Sequence, residues 1–150
     1  MIDDISDLHP SPNLSADDLL GEAQTVTIES VEKGEATGVE GVKTIIRFAG
    51  IVKPLVSNTT NDYSIALLLG RKPSGWIGKR IVLSPAQSTF GKDTVPCIRV
   101  TGSPDAPEPR RKLLASIREL NPDTKPVLLG RALKLALSAS DPRKATTKEK

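Results

Sequence analysis

Few side chains in this sequence could carry out chemistry, because it contains a single histidine, His9, and a single cysteine, Cys97. Two such residues cannot form a structural zinc site, which takes four Cys or His ligands, nor a disulfide or a Cys-x-x-Cys redox pair. A catalytic triad would have to recruit His9 from a segment rich in proline and serine, and no nucleophile, base and orienting group can be named together. We therefore expect no enzymatic activity, no catalytic residues, no metal and no cofactor.

The charged residues are more informative, because they are segregated along the chain. Residues 1–40 contain ten acids and one base, Lys33, so this stretch carries a charge of −9. The whole chain of 150 residues carries +3, so the remaining residues carry +12. A basic body favours a polyanionic partner, although long-range charge also serves solubility alone. The acidic leader would compete with such a partner for the basic surface.

Alternation of apolar and polar residues predicts five strands in the middle of the chain. The strand segments are residues 24–31, 42–50, 51–56, 79–84 and 94–101. Between the third and the fourth, Ile65, Leu68 and Leu69 recur at helical spacing after a run of helix-capping residues. Three strands, one helix and two strands is the order of the OB-fold, a Greek-key barrel that commonly binds oligonucleotides or oligosaccharides. We expect a mainly β, five-stranded OB-fold-like barrel with one inserted helix; an open α+β sheet of the same order is the alternative.

The predicted domain boundaries follow changes in composition. Residues 1–21 form a flexible acidic leader with a short helical turn near its end, and residues 22–102 form the barrel. A proline-rich linker at 103–110 leads to a helical hairpin at 111–139, and residues 140–150 are a charged tail. The hairpin carries two apolar stripes, which must be covered either by the barrel, as extra core, or by a partner, as an arm for oligomerisation or interaction.

Three segments of the predicted barrel resemble a family of small phage and prophage proteins. They are KPLVSNTTN at residues 53–61, WIGKRI at residues 76–81 and TVPCIRV at residues 94–100. The resemblance covers residues 23–101, and it departs from the family pattern at Ser57, Thr59 and Pro96, where that pattern has leucine, lysine and aspartate. It implies a phage origin and an OB-like core, without an activity.

The expected location is the cytoplasm of a bacterial host cell. No apolar run approaches the roughly 18 to 20 residues of a membrane-spanning helix. The first seven residues are acidic, whereas a signal peptide begins with basic residues. We accordingly expect no membrane partner. Because no enzymatic activity is expected, we also expect no small-molecule substrate.

The candidate binding residues are the bases that strand alternation directs away from the core, together with two residues of the loop between the last two strands. They are Lys43, Arg47, Lys53, Arg80, Phe90, Lys92 and Arg99. From the first of these to the last, the chain has nine bases against Asp62 and Asp93, a surplus of +7 that suits a groove following a phosphate backbone. Aromatic residues make up only 3% of the chain. Among them Phe90 is the candidate for a base contact, and Trp76 is expected to be structural.

Two functions of different classes fit these patterns. The first is a single-stranded DNA-binding protein of a phage or prophage, acting in replication or recombination by largely sequence-independent phosphate contacts. The second is a non-enzymatic protein-interaction module, an adaptor or an inhibitor of a host factor, that works through the C-terminal helices. The basic strand face favours the first and the scarcity of aromatic residues favours the second. We expect the first, with homo-oligomerisation through residues 111–139 as a further possibility.

Overall fold

The order of secondary-structure elements agrees with the sequence prediction. The computed structural model describes residues 12–36, 38–90, 92–122 and 126–139. Its strands are β1 (Gln24–Glu35), β2 (Val42–Phe48), β3 (Leu55–Ser57), β4 (Arg80–Phe90) and β5 (Asp93–Gly102). Its α-helices are α1 (Thr59–Leu69), α2 (Glu108–Leu120) and α3 (Pro126–Ala139), and its short 3₁₀ helices are Ala16–Leu19 and Pro73–Trp76. The five strands, the helix inserted after the third and the helical hairpin are thus confirmed.

The five strands form one antiparallel sheet in the order β3-β2-β1-β4-β5. β1 serves both halves of the sheet, because residues 24–27 pair with β4 and the residues from Ile28 onwards pair with β2. The register of the β1–β2 pair shifts between Ile28 and Ser30, and an irregularity of this kind increases the local twist of a strand. The long first strand therefore holds the two halves together.

The sheet is not closed, so the predicted barrel is not confirmed. β3 has only three residues and pairs with β2 alone, and α1 begins two residues after it ends. At the free edge of β5, the buried side chain of Asn61 donates from Nδ2 to the Ile98 carbonyl (2.9 Å) and accepts from the Val100 amide (3.1 Å). Asn61 thereby occupies the backbone groups with which a closing strand would pair.

Replacing Asn61 by alanine is expected to lower the free energy of unfolding by about 2–4 kcal/mol, because it leaves a buried carbonyl and a buried amide of β5 unpaired. Asn58→Ala is the matched control. Its side chain accepts from the Asn61 amide (2.9 Å) as the N-cap of α1, a contact worth about 1 kcal/mol. Urea unfolding followed by circular dichroism measures both variants, and equal losses would contradict the edge-capping role of Asn61.

Part of the predicted leader is packed against the sheet. Ser15 donates to the Asp18 carboxylate from its amide (2.8 Å) and its hydroxyl (3.1 Å) at the start of the predicted helical turn. Leu19 is buried in the core, and the Leu14 amide donates to the Pro54 carbonyl (2.8 Å). Isolated leucines form no apolar period, which is why the sequence did not predict this packing. Residues 1–11 of the leader lie outside the described part of the chain.

The C-terminal helices contribute to the core of the molecule. Five of their side chains belong to the same hydrophobic cluster as the core residues of the sheet: Leu114, Ile117, Leu129, Leu133 and Leu137. α3 lies so close to α1 that a Cβ atom on Gly130 would stand 3.6 Å from the Thr60 hydroxyl oxygen. α2 begins at Glu108, inside the predicted linker, because a proline such as Pro109 is tolerated in the first turn of a helix. The five buried apolar side chains of the hairpin are therefore part of the core.

Trp76 has the structural role expected of it. Its side chain is buried, and its indole N–H donates to the carbonyl of Gly70 (2.8 Å) at the end of α1. The indole thus fixes the turn that leads from α1 to β4. None of the described helices has the length and apolar composition needed to cross a membrane.

Candidate nucleic-acid interface

The outer face of β2 carries two of the predicted bases, Lys43 and Arg47, on either side of Ile45. Both are exposed, as the alternation predicts. The Arg47 Nε atom lies 3.4 Å from a carboxylate oxygen of Glu32 on β1, in a pair of which both members are about half exposed. Lys43 has no ion-pair partner among the described residues. Cross-strand pairing thus partly neutralises this small basic surface.

Lys53, on the loop before β3, is paired with the leader. Its ammonium group lies 3.1 Å from an oxygen of Asp18, and both side chains are about one-third exposed. Burial alone would raise the pKa of Asp18, but hydrogen bonds from Ser15 and Lys53 outweigh it, and the pKa is lowered. The folded end of the leader therefore already occupies one predicted binding residue, while competition by residues 1–11 stays a prediction.

The predicted exposure of Arg99 is wrong, because its side chain is buried and only 3% exposed. Alternation places Arg99 on the face of β5 opposite to the core residues Ile98 and Val100. All three consecutive residues are buried, so β5 is covered on both faces at this point. Parity along a strand predicts the face on which a side chain stands, not whether that face meets solvent. Arg99 cannot serve as an open contact for a ligand.

Two predicted residues lie at the β4–β5 turn. Lys92 is exposed there, and it has no ion-pair partner among the residues that the structure covers. Phe90 ends β4, and its side chain lies outside the described residues. The contact of Phe90 with a base therefore stays a prediction.

Arg80, at the start of β4, makes a bidentate ion pair with Asp105. Its Nη2 and Nε atoms donate to the two carboxylate oxygens at 2.8 and 3.2 Å, and its backbone amide donates to the same carboxylate at 2.8 Å. These hydrogen bonds lower the pKa of Asp105 from 3.8 to about 2, with a smaller contribution from the charge of Lys79. The pair joins the beginning of β4 to the loop before α2.

Because of the Arg80–Asp105 pair, the difference in stability between the wild type and Asp105→Asn is expected to depend on pH. Since the pKa of Asp105 falls from 3.8 to about 2 on folding, the ionised pair stabilises the protein above about pH 4. That stabilisation is lost as the pH falls through about 2. The Tm difference between the wild type and Asp105→Asn should therefore shrink from about pH 5 to about pH 2 in thermal unfolding scans. A constant difference over this range would contradict the pairing.

A group of bases that make no ion pair with the described residues lies beyond the strands, at the C-terminal end of α1. Arg71 and Lys72 follow α1, Arg110 lies in the first turns of α2, and all three line one open groove with a volume of about 440 Å³. Most of the remaining lining is apolar and includes Pro107 and Leu137. The groove thus combines a basic rim with an apolar floor.

Lys79 and Arg80 extend this basic surface. Arg80 pairs with Asp105, and the charge of Lys79 lowers the pKa of the same carboxylate. Asp105 lies two residues before Pro107, which lines the groove. We call the five bases the helix-end basic face: Arg71, Lys72, Lys79, Arg80 and Arg110. Except for Arg80, none of them forms an ion pair with a described residue. The nearby Glu108 is engaged with Lys112 at 2.9 Å. The face therefore keeps most of its positive charge.

A smaller cavity of about 230 Å³ adjoins the groove and shares Ala66, Arg71 and Leu137 with it. Its other lining residues are Thr44, Asp62, Tyr63, Pro73 and Trp76. The Asp62 carboxylate accepts hydrogen bonds from the hydroxyls of Ser57 (2.6 Å) and Thr44 (2.9 Å). A carboxylate with a fixed orientation therefore stands in a cavity that is otherwise largely apolar.

Strand alternation could not predict the helix-end basic face. Arg71 and Lys72 contribute to the surplus of positive charge counted from the sequence, but they lie in the turn between α1 and β4, where no parity applies. Lys79 is the first residue of the predicted strand 79–84, where it shares parity with the core residues Ile81 and Leu83, whereas in the structure it precedes β4. Arg110 falls in the segment predicted as a linker. The only available signal was the density of bases from 71 to 80, and of the predicted residues Arg80 alone belongs to this face.

Comparison with known proteins found no relative, because no protein-family model, no curated protein and no solved structure matches this chain. The resemblance to phage and prophage proteins therefore stays a prediction. Among the described residues, no three His, Cys, Asp or Glu side chains are grouped so that they could hold a metal ion. Function must be inferred from the charge and geometry of this chain.

Proposed function

We propose that the protein binds single-stranded DNA, as a phage or prophage protein of replication or recombination, through largely sequence-independent phosphate contacts. The observation that carries this proposal is the helix-end basic face. Of its five bases, Arg80 pairs with Asp105, whereas Arg71, Lys72, Lys79 and Arg110 form no ion pair with a described residue. Unpaired Lys and Arg side chains are what a protein needs to replace the counterions of a phosphate backbone.

The shape of this surface favours a single strand over a duplex. Arg71, Lys72 and Arg110 line a groove whose apolar part includes Pro107 and Leu137. A single strand can place its phosphates on the basic rim and its unstacked bases on the apolar floor. A duplex keeps its bases stacked inside the helix, so it would gain only the phosphate contacts.

The test of this proposal is the dependence of binding on salt. With fluorescein-labelled oligo(dT) of about 16 nucleotides, fluorescence anisotropy should show log affinity falling against log salt with a slope near −3. This slope corresponds to about four neutralised phosphates at about 0.7 each. A duplex of the same length should bind more weakly. Binding that does not depend on salt, or no binding at about 50 mM salt, would overturn the proposal.

One observation favours the second candidate, a protein-interaction module. Four large apolar side chains at the end of α2 and on α3 are exposed: Leu120, Val127, Leu128 and Leu135. Apolar side chains grouped in this way mark many protein-binding surfaces. The salt experiment separates the two candidates, because a module that works only through these apolar side chains shows no salt-dependent affinity for oligo(dT).

A further inference from the structure

We propose that the smaller cavity beside the groove receives one base of the bound strand and that it prefers guanine. This inference rests on the proposed function and adds base selectivity at one position to an otherwise sequence-independent contact. The cavity and the groove share Arg71, so a phosphate held at the groove rim stands next to the cavity entrance. One nucleotide can therefore occupy both parts at once.

The size and walls of the cavity suit a single base. Its volume of about 230 Å³ is below the roughly 300 to 1,000 Å³ of pockets for drug-sized ligands. Tyr63 and Trp76 contribute aromatic surface, and Ala66, Pro73 and Leu137 contribute apolar surface. Proteins that take a base out of its stack hold it between such aromatic and apolar side chains and read its Watson–Crick edge by hydrogen bonds.

The hydrogen-bonding groups of the cavity explain the preference for guanine. Each oxygen of the Asp62 carboxylate accepts one hydrogen bond from within the protein, Oδ1 from Ser57 and Oδ2 from Thr44. A carboxylate oxygen offers about two acceptor positions, so each oxygen can accept one more. Asp62 makes no ion pair with a described residue. The cavity thus presents two adjacent acceptors that are already oriented.

Guanine is the base that matches two adjacent acceptors. Its Watson–Crick edge carries two neighbouring donors, N1–H and the N2 amino group, and its O6 atom accepts well from an arginine such as Arg71. Thymine presents a single N–H between two carbonyl oxygens, which the carboxylate of Asp62 would repel. Adenine and cytosine each present one amino donor beside a ring nitrogen that cannot donate.

The experiment compares oligo(dT) of about 16 nucleotides with the same strand carrying one central dG or one central dA. The strand with dG should bind about tenfold more tightly, as expected from one bidentate contact to a base. Asp62→Asn should bring the dG strand and the oligo(dT) strand to the same affinity. Asp93→Asn, which removes an exposed carboxylate at the β4–β5 turn, is the matched control and should keep the preference.

Each other outcome rejects a defined part of the account. Equal affinity of the wild type for all three strands overturns the guanine site and leaves the proposed function standing. A preference that survives Asp62→Asn overturns the role of Asp62. If guanosine monophosphate binds while no strand does, the cavity is a free-nucleotide site, and both this inference and the proposed function fail. Circular dichroism of the variants confirms that they are folded.

Discussion

A chain that ends after Ser103 is expected to be insoluble or unfolded, because it lacks α2 and α3. These helices bury Leu114, Leu129 and Leu133 completely in the hydrophobic cluster that the sheet also builds. Truncating one buried leucine to alanine costs about 2–5 kcal/mol. The whole stability of a domain is only about 5–15 kcal/mol. Loss of three such side chains and their helices therefore exceeds what the sheet and α1 can sustain.

Two leucines of α3 provide the matched control for this prediction. Leu133 is fully buried, whereas Leu135 is 71% exposed. Leu133→Ala should lower the free energy of unfolding by about 2–5 kcal/mol, and Leu135→Ala should change it by less than about 0.5 kcal/mol. Urea unfolding measures both. A truncated chain that folds with the wild-type midpoint, or equal effects of the two substitutions, would show that the hairpin is a separate arm.

The strand order could be predicted from the sequence because alternation is a local signal. Val26, Ile28, Ile46 and Phe48 alternate as predicted and are all buried. That the sheet stays open at β5 was not predictable in this way. At the open edge, Asn61 bonds β5 residues that are 37 and 39 residues away in sequence. A buried asparagine on a helix carries no periodic signal, so its effect on the edge of the sheet emerges only from the folded structure.

The candidate site was less predictable than the fold, because the sequence shows charge but not pairing. Arg47 contacts Glu32 and Lys53 contacts Asp18, 15 and 35 residues apart in sequence. Such contacts remove charge from a surface that parity alone would leave basic. Conversely, Arg71 and Arg110 come together only because the start of α2 folds back to the end of α1. Both differences arise from tertiary contacts between distant segments.

Removing the three bases of the groove should have the largest effect on DNA binding. The variant Arg71→Ala/Lys72→Ala/Arg110→Ala loses three phosphate contacts, so its salt slope should fall from near −3 to about −1, at about 0.7 per contact. If affinities at about 1 M salt are similar, this change corresponds to about a hundredfold weaker binding at about 0.1 M salt. None of these side chains belongs to the hydrophobic core, so the variant should stay folded.

The most direct test of the account compares this groove variant with Lys43→Ala/Arg47→Ala/Lys92→Ala, which removes the same positive charge from the sheet and the β4–β5 turn. Both are titrated with oligo(dT) of about 16 nucleotides at several salt concentrations. Binding at the helix-end basic face predicts that only the groove variant loses about a hundredfold in affinity and about two units in the slope of log affinity against log salt. The affinity of the sheet variant should change by less than about threefold. Equal losses in the two variants, or a larger loss in the sheet variant, would contradict it.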